Sequence, residues 1–377
     1  MTEAGLQIMV PRHKSEDEHM NDTQNPKTDK TVAGNYFEDF TLGQEIVHAT
    51  PRTVTVGDVS LFTALYGSRF AVQSSDAFAQ RIGYPRSPLD DLLVFHIVIG
   101  KTVPDISRNA IANLGYAEFR FIAPVYPGDT LASTSKVIGV KENSNKKSGT
   151  VYVRSTGRNQ RGQPVLSYAR WVMVNKRDVN APAPNPVVPD LAANVEPSTL
   201  GAALPPLDLA DYDYALAGSS KRWNDYEVGE KIDHVDGQTI EEAEHQLATR
   251  LFQNTARVHF NQHVEGKGRF GRRLVYGGHI ISIARSLSFN GLANAFHILG
   301  LNGARHVAPS FAGDTIYAWS EVLDKAELPG RSDMGALRLR TFAVKDRACA
   351  DFPGLKADGG HADGVVLDMD YWAALPR

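Results

Sequence analysis

Apolar side chains occupy nearly every face of two short segments, Asp91–Thr102 and Gly278–Leu287, a pattern that predicts helices buried on all sides rather than along one stripe. A second helix is expected ahead of each, over Val56–Tyr66 and Glu241–Gln253, and ahead of that a short strand, Glu45–Ala49 and Lys231–Val235. Behind each apolar helix the pattern shortens to strand period. Strands are expected at Tyr116–Ile122, Thr130–Lys141, Gly149–Asn159 and Val165–Val174, then at Thr315–Val322, Ala336–Val344 and Val365–Trp372. One buried helix followed by strands suits an antiparallel sheet wrapped around that helix, an α+β architecture present twice.

The repetition extends to residue types. Tyr36-Phe37-Glu38-Asp39-Phe40-Thr41-Leu42-Gly43-Gln44-Glu45-Ile46 reappears as Arg222-Trp223-Asn224-Asp225-Tyr226-Glu227-Val228-Gly229-Glu230-Lys231-Ile232, 186 positions on. His48 then falls on His234. Ala123-Pro124-Val125-Tyr126-Pro127-Gly128-Asp129-Thr130-Leu131 matches Ala308-Pro309-Ser310-Phe311-Ala312-Gly313-Asp314-Thr315-Ile316 at an offset of 185. Such self-similarity marks an internal duplication. The copies span 35–178 and 221–377. Residues 179–220 carry seven of the 20 prolines and read as an extended connector. The polar stretch 1–34 reads as a disordered tail.

Composition narrows the partners. With 40 basic and 43 acidic residues and a formal charge of −3, no global field favours nucleic acid or an anionic membrane. The expected partner is a small molecule. No apolar run reaches the roughly 20 residues that cross a bilayer, and the single Cys349 leaves no disulfide framework. A soluble, cytoplasmic protein is the expectation.

Equivalent positions separate the copies chemically. Under the 186-residue offset Ser68 becomes Asn254, Ala71 becomes Arg257, Gln73 becomes His259, Asp90 becomes Tyr276, Asp91 becomes Gly277 and Ile99 becomes Arg285. His259 can exchange a proton near neutral pH, and Asn254 offers a donor and an acceptor without a titratable proton. Together they could hold and activate a water. Taken alone, they read better as a satisfied loop histidine and a helix terminator. Gly277-Gly278 opens the second apolar helix, where backbone amides lack internal acceptors and glycine admits a ligand closely. That is a place for developing negative charge, although close packing would also explain it. His279 could be a buried polar group or a site wall. Arg285, inside the buried helix, requires an anionic partner, and Arg257, Arg269, Arg272 and Arg273 could meet a carboxylate or phosphates. His259 and His263 form H-x-x-x-H without the acidic residue of a zinc-protease helix, so no metal is expected. No phosphate-binding glycine motif appears, so no nucleotide cofactor is expected.

The run Phe252-Gln253-Asn254-Thr255-Ala256-Arg257-Val258-His259-Phe260-Asn261, followed by Val275-Tyr276-Gly277-Gly278-His279, resembles the MaoC-like hydratase/dehydratase family, and the duplication is similar to its double hot-dog members. The resemblance implies a hydro-lyase acting on an acyl-CoA thioester, CoA being part of the substrate, in a homodimer. Its finer stretches, such as Ser286-Leu287-Ser288-Phe289-Asn290-Gly291, resemble enzymes that hydrate mesaconyl-CoA (2-methylfumaryl-CoA) to β-methylmalyl-CoA. By the same resemblance the catalytic set is His259, Asn254 and Gly277, with Tyr276, Gly278, His279, Arg257 and Arg285 on the substrate. Family members pair an aspartate with the histidine and open the helix with His-Gly; here those positions hold Asn254 and Tyr276. A thioesterase or a silent acyl-CoA-binding protein are the competing readings, the first requiring a carboxylate beside Gly277.

Overall fold

The computed structural model describes residues 30–201 and 204–377; most of the expected tail lies outside the described residues. Ten strands form one antiparallel sheet. The N-terminal copy contributes β1 (Glu45–Thr53), β2 (Ala110–Phe121), β3 (Thr130–Glu142), β4 (Ser148–Arg158) and β5 (Pro164–Asn175), in the order β1-β3-β4-β5-β2. The C-terminal copy contributes β6 (Lys231–Thr239), β7 (His297–His306), β8 (Thr315–Glu327), β9 (Met334–Lys345) and β10 (Val365–Pro376), arranged from the opposite edge as β6-β8-β9-β10-β7. The two five-stranded units join where β2 pairs with β7, Phe119 opposite Leu301 and Arg120 opposite Gly300.

Strand β7 was not expected from the sequence. Its residues, His-Ile-Leu-Gly-Leu-Asn-Gly-Ala-Arg-His, include two glycines and an asparagine that weaken strand propensity. Ladders from β2 on one side and β10 on the other override that weakness. The glycines are part of the fit: a Cβ at Gly300 would stand 2.7 Å from the Phe119 carbonyl oxygen.

Four helices pack on this sheet: α1 (Val56–Tyr66), α2 (Asp91–Thr102), α3 (Glu242–Leu251) and α4 (Gly277–Leu287). Every residue of α2 is buried. The helices α2 and α4 meet at the pseudo-two-fold axis, where His96 Nε2 and Ser282 Oγ hydrogen-bond at 2.8 Å; these are the same position in the two copies. Glycines let the backbones close. A Cβ at Gly278 would lie 2.5 Å from His96 Cε1, and one at Gly100 would lie 1.7 Å from the Phe252 carbonyl oxygen.

The repeated histidines stitch each sheet edge. His48 Nε2 bonds Ser135 Oγ, which bonds Ser155 Oγ, and His234 Nε2 bonds Ser320 Oγ, which bonds Thr341 Oγ1. The proline-rich stretch is more than a tether. Val187 bridges Val140 of β3, and Val195, Leu200, Leu207, Leu209 and Tyr212 are buried with Phe296 and Trp372.

The Gly100 contact generates a test. In an open helix, glycine to alanine stabilises by about 1 kcal/mol. Here Gly100→Ala must push a backbone carbonyl, so chemical denaturation is expected to show a loss of about 2 kcal/mol or more. Unchanged or increased stability would contradict the contact.

Candidate active site

The site begins with a helix ending. Helix α3 closes in a paired motif in which the Gln253 amide donates to Arg250 O and the Asn254 amide to Thr249 O, both at 3.0 Å. That closure requires a left-handed residue, usually glycine. The N-terminal copy uses Gly67 there, with φ 60°, whereas the C-terminal copy places Gln253 at φ 55°. Its amide oxygen accepts from Lys101 Nζ of α2 at 3.2 Å. The result turns Asn254 inward, where it is 4% exposed, its Oδ1 accepting the Ala256 amide at 3.3 Å.

His259 sits on the single turn Arg257–Phe260. Leu274 clamps this turn twice: its amide donates to Val258 O at 2.9 Å, and its carbonyl lies 3.0 Å from His259 Nδ1. A carbonyl only accepts, so Nδ1 carries the proton and Nε2 keeps its lone pair. Burial pushes the imidazole down to about 4, against the opposing pull of the Leu274 carbonyl. His259 is therefore neutral at pH 7. Helix α4 starts at Gly277 with no side-chain cap.

Asn254, His259, Tyr276 and Gly277 line one cavity of about 300 Å³. Its far wall comes from the N-terminal copy: Ile99 on α2, Ser107 on the turn that follows α2, Asn113 and Tyr116 on β2, and Arg170 on β5. Among the described residues, no aspartate or glutamate lines it. His306, at the end of β7, completes the wall. It explains why residue 277 is glycine, since a Cβ there would stand 2.3 Å from His306 Cε1. Burial holds His306 at about 4 as well.

The remaining expected residues fall elsewhere. Arg257 is exposed on its turn and is not among the cavity's lining residues. Gly278 serves the helix crossing. His279 is fully buried, its Nδ1 2.9 Å from Tyr66 Oη, and Arg285 is also outside the cavity. The expected anionic partner of Arg285 is not an ion pair. Its guanidinium donates to Ser288 Oγ and Ala295 O and lies 3.7 Å above the Phe70 ring, so carbonyl, hydroxyl and π-face replace a carboxylate salt bridge. Its charge does help hold down the buried Asp90 carboxyl, which burial and Asp91 raise to about 6. Ser68, Gln73 and Asp90, the equivalents of Asn254, His259 and Tyr276, surround only about 10 Å³, barely room for a water.

Sequence comparison between copies missed Ser107, Asn113, Arg170 and His306. The first three lie in the copy that lacks the histidine, and only the β2–β7 join brings them to it.

Two hot-dog units sharing one sheet define a MaoC-like double hot-dog protein. The crystal structure of a MaoC domain protein dehydratase from Chloroflexus aurantiacus J-10-fl superposes with a TM-score of 0.90 at 66% identity, covering 93% of this chain and 99% of that one. A Mycobacterium tuberculosis protein described as a double hot-dog fold matches at 0.72 and 25% identity, over 92% and 99%. The chain belongs to the mesaconyl-CoA hydratase family, whose model matches residues 16–357. A β-methylmalyl-CoA dehydratase of Chloroflexus aurantiacus is 66% identical, covering 92% of this chain and 99% of its own length. A mesaconyl-CoA hydratase of Cereibacter sphaeroides is 59% identical, covering 92% and 100%. The protein is an enzyme of the hydro-lyase class.

The depressed histidines set the acid behaviour. An imidazole held at about 4 stays neutral well below the ordinary histidine value of about 6.5. The acid limb of kcat/KM is expected below pH 6, and a midpoint at 6.5 or higher would contradict the burial of His259. The linkage has the matching sign. Native stability is full above about 6.5 and declines as pH falls toward 4, because the unfolded chain takes up protons that the native histidines refuse. His259→Gln should flatten part of that decline in a melting-temperature profile.

Proposed function

We propose that this enzyme catalyses the reversible hydration of mesaconyl-CoA to β-methylmalyl-CoA, the reaction for which its relatives are named. The observation that carries the chemistry is the neutral imidazole of His259, anchored through Nδ1, in a cavity without a carboxylate. Asn254 orients a water. His259 Nε2 takes one of its protons while the oxygen bonds the β-carbon, and the α,β-double bond shifts its electrons toward the thioester carbonyl. The oxyanion forms at the Gly277 amide, where the uncapped start of α4 is favourable to negative charge. The imidazolium then returns the proton to the α-carbon, so one water is added and nothing else is consumed.

His306 joins this set. A half-buried, neutral imidazole is a hydrogen-bond donor without being an acid, and its ring lies against Gly277, suited to a second bond to the thioester oxygen. CoA belongs to the substrate, and the reaction requires no separate cofactor. Arg269, 5.1 Å from the ring centre of the cavity residue Phe270, is the cation we assign to the CoA phosphates. Thioester hydrolysis is disfavoured because no lining carboxylate can act as nucleophile. The working assembly we propose is a homodimer.

His259→Ala is expected to lose about 1000-fold or more in kcat for mesaconyl-CoA, and Asn254→Ala about 10- to 100-fold, with both folded by circular dichroism. The assay is loss of enoyl absorbance. Near wild-type turnover by His259→Ala would end this mechanism, and release of free CoA instead of hydration would end the substrate reaction assigned here.

A further inference from the structure

Arg170 is 2% exposed and lines the cavity, yet no carboxylate neutralises it. Its Nη2 donates to Thr102 Oγ1 at 2.7 Å, and its Nε has no protein partner. Around it stand phenols, Tyr116, Tyr168 and Tyr276, whose ionisation burial opposes. A buried cation left with one hydroxyl is costly to the fold. Two more polar side chains on the same wall share the condition: Ser107 Oγ and both amide atoms of Asn113 are buried without a protein partner. Native proteins satisfy nine in ten or more of such atoms. Ser310 Oγ, on the C-terminal side of the cavity, is also unpartnered, but the guanidinium, amide and hydroxyl of Arg170, Asn113 and Ser107 stand together on the wall from the N-terminal copy and mark a site built for a ligand group that brings the missing acceptors.

We infer that Arg170, Asn113 and Ser107 form the subsite for the substrate's free carboxylate, so the copy without the catalytic histidine supplies the selectivity for a dicarboxylic acyl chain. This inference rests on the acyl-CoA reading above. A carboxylate offers two oxygens to guanidinium, amide and hydroxyl donors at once. In mesaconyl-CoA that carboxylate sits on the β-carbon, the carbon that receives water. Clamping it fixes the β-carbon opposite Asn254 and His259, and the guanidinium offsets its repulsion of the incoming oxygen. The arginine is a feature of one copy. Ser155 pairs with Tyr168 and Thr341 with Met369, and two residues on, Arg170 corresponds to Tyr371, which instead receives a 3.4 Å hydrogen bond from Thr341.

The test compares mesaconyl-CoA with crotonyl-CoA, which has a methyl group in place of the β-carboxylate and lacks the α-methyl group. In Arg170→Met the preference in kcat/KM for mesaconyl-CoA is expected to fall about 100-fold, with an unchanged or higher melting temperature because an unpaired buried charge has gone. Arg170→Lys should recover part of the preference. Asn113→Ala, as an independent variant, should reduce it about 10-fold. An equal loss for both thioesters, or an unchanged ratio, would overturn the inference. A binding arm separates the two readings: mesaconyl-CoA should raise the wild-type melting temperature more than crotonyl-CoA does, and Arg170→Met should abolish that difference. If wild type shows the binding difference without hydrating mesaconyl-CoA, the reaction is wrong and the subsite stands. If neither variant changes the binding difference, the subsite fails whatever the turnover.

Discussion

The pairing of β2 with β7 is the contact on which the rest depends. Without it each copy would be a five-stranded sheet with an exposed edge, a liability for a strand of this length. With it, Phe119 faces Leu301 and Arg120 faces Gly300, and the sheets become one. The same pairing sets β2 beside the end of β7, so Asn113 and Tyr116 face the loop that carries His259 and the helix that begins at Gly277. The cavity therefore belongs to neither copy alone. One supplies an imidazole and an amide, the other a wall with a cation.

The two halves show opposite uses of the same positions. Ile99 lines the open cavity while its equivalent, Arg285, fills space over Phe70. Gly67 closes its helix without strain, while Gln253 adopts a left-handed conformation that disfavours a side chain and is held by Lys101. Ser107, Asn113, Arg170 and Ser310 leave buried polar atoms without protein partners around the open cavity. These atoms and the left-handed Gln253 lower stability, and a sheet of ten strands with two buried helices can sustain them. Sites that violate local rules in this way are where function is expected.

The duplication, the buried helices and the asymmetry at 254, 259 and 277 were legible because all three leave marks in local sequence: self-similarity, all-round apolar periodicity, and paired positions with different chemistry. Strand β7 was not, because Gly300 serves close approach to Phe119 and Gly303 and Asn302 weaken strand propensity. Arg170 was missed for a different reason. Comparing copies favours the half with the histidine, whereas Arg170 reaches the cavity from the other half by a pairing that no periodicity encodes. Arg285 shows the converse error. A buried arginine implies partners, but the sequence does not say that a carbonyl, a hydroxyl and an aromatic face will serve.

The central claim is one composite site per chain, with the thioester at the C-terminal copy and the distal carboxylate at the N-terminal copy. A crystal structure with methylsuccinyl-CoA, which lacks the double bond and cannot be hydrated, tests it directly. The account predicts one acyl chain per polypeptide, its thioester oxygen within hydrogen-bonding distance of the Gly277 amide and its carboxylate on Arg170. A ligand at Ser68 and Gln73, or a carboxylate turned away from Arg170, would contradict it.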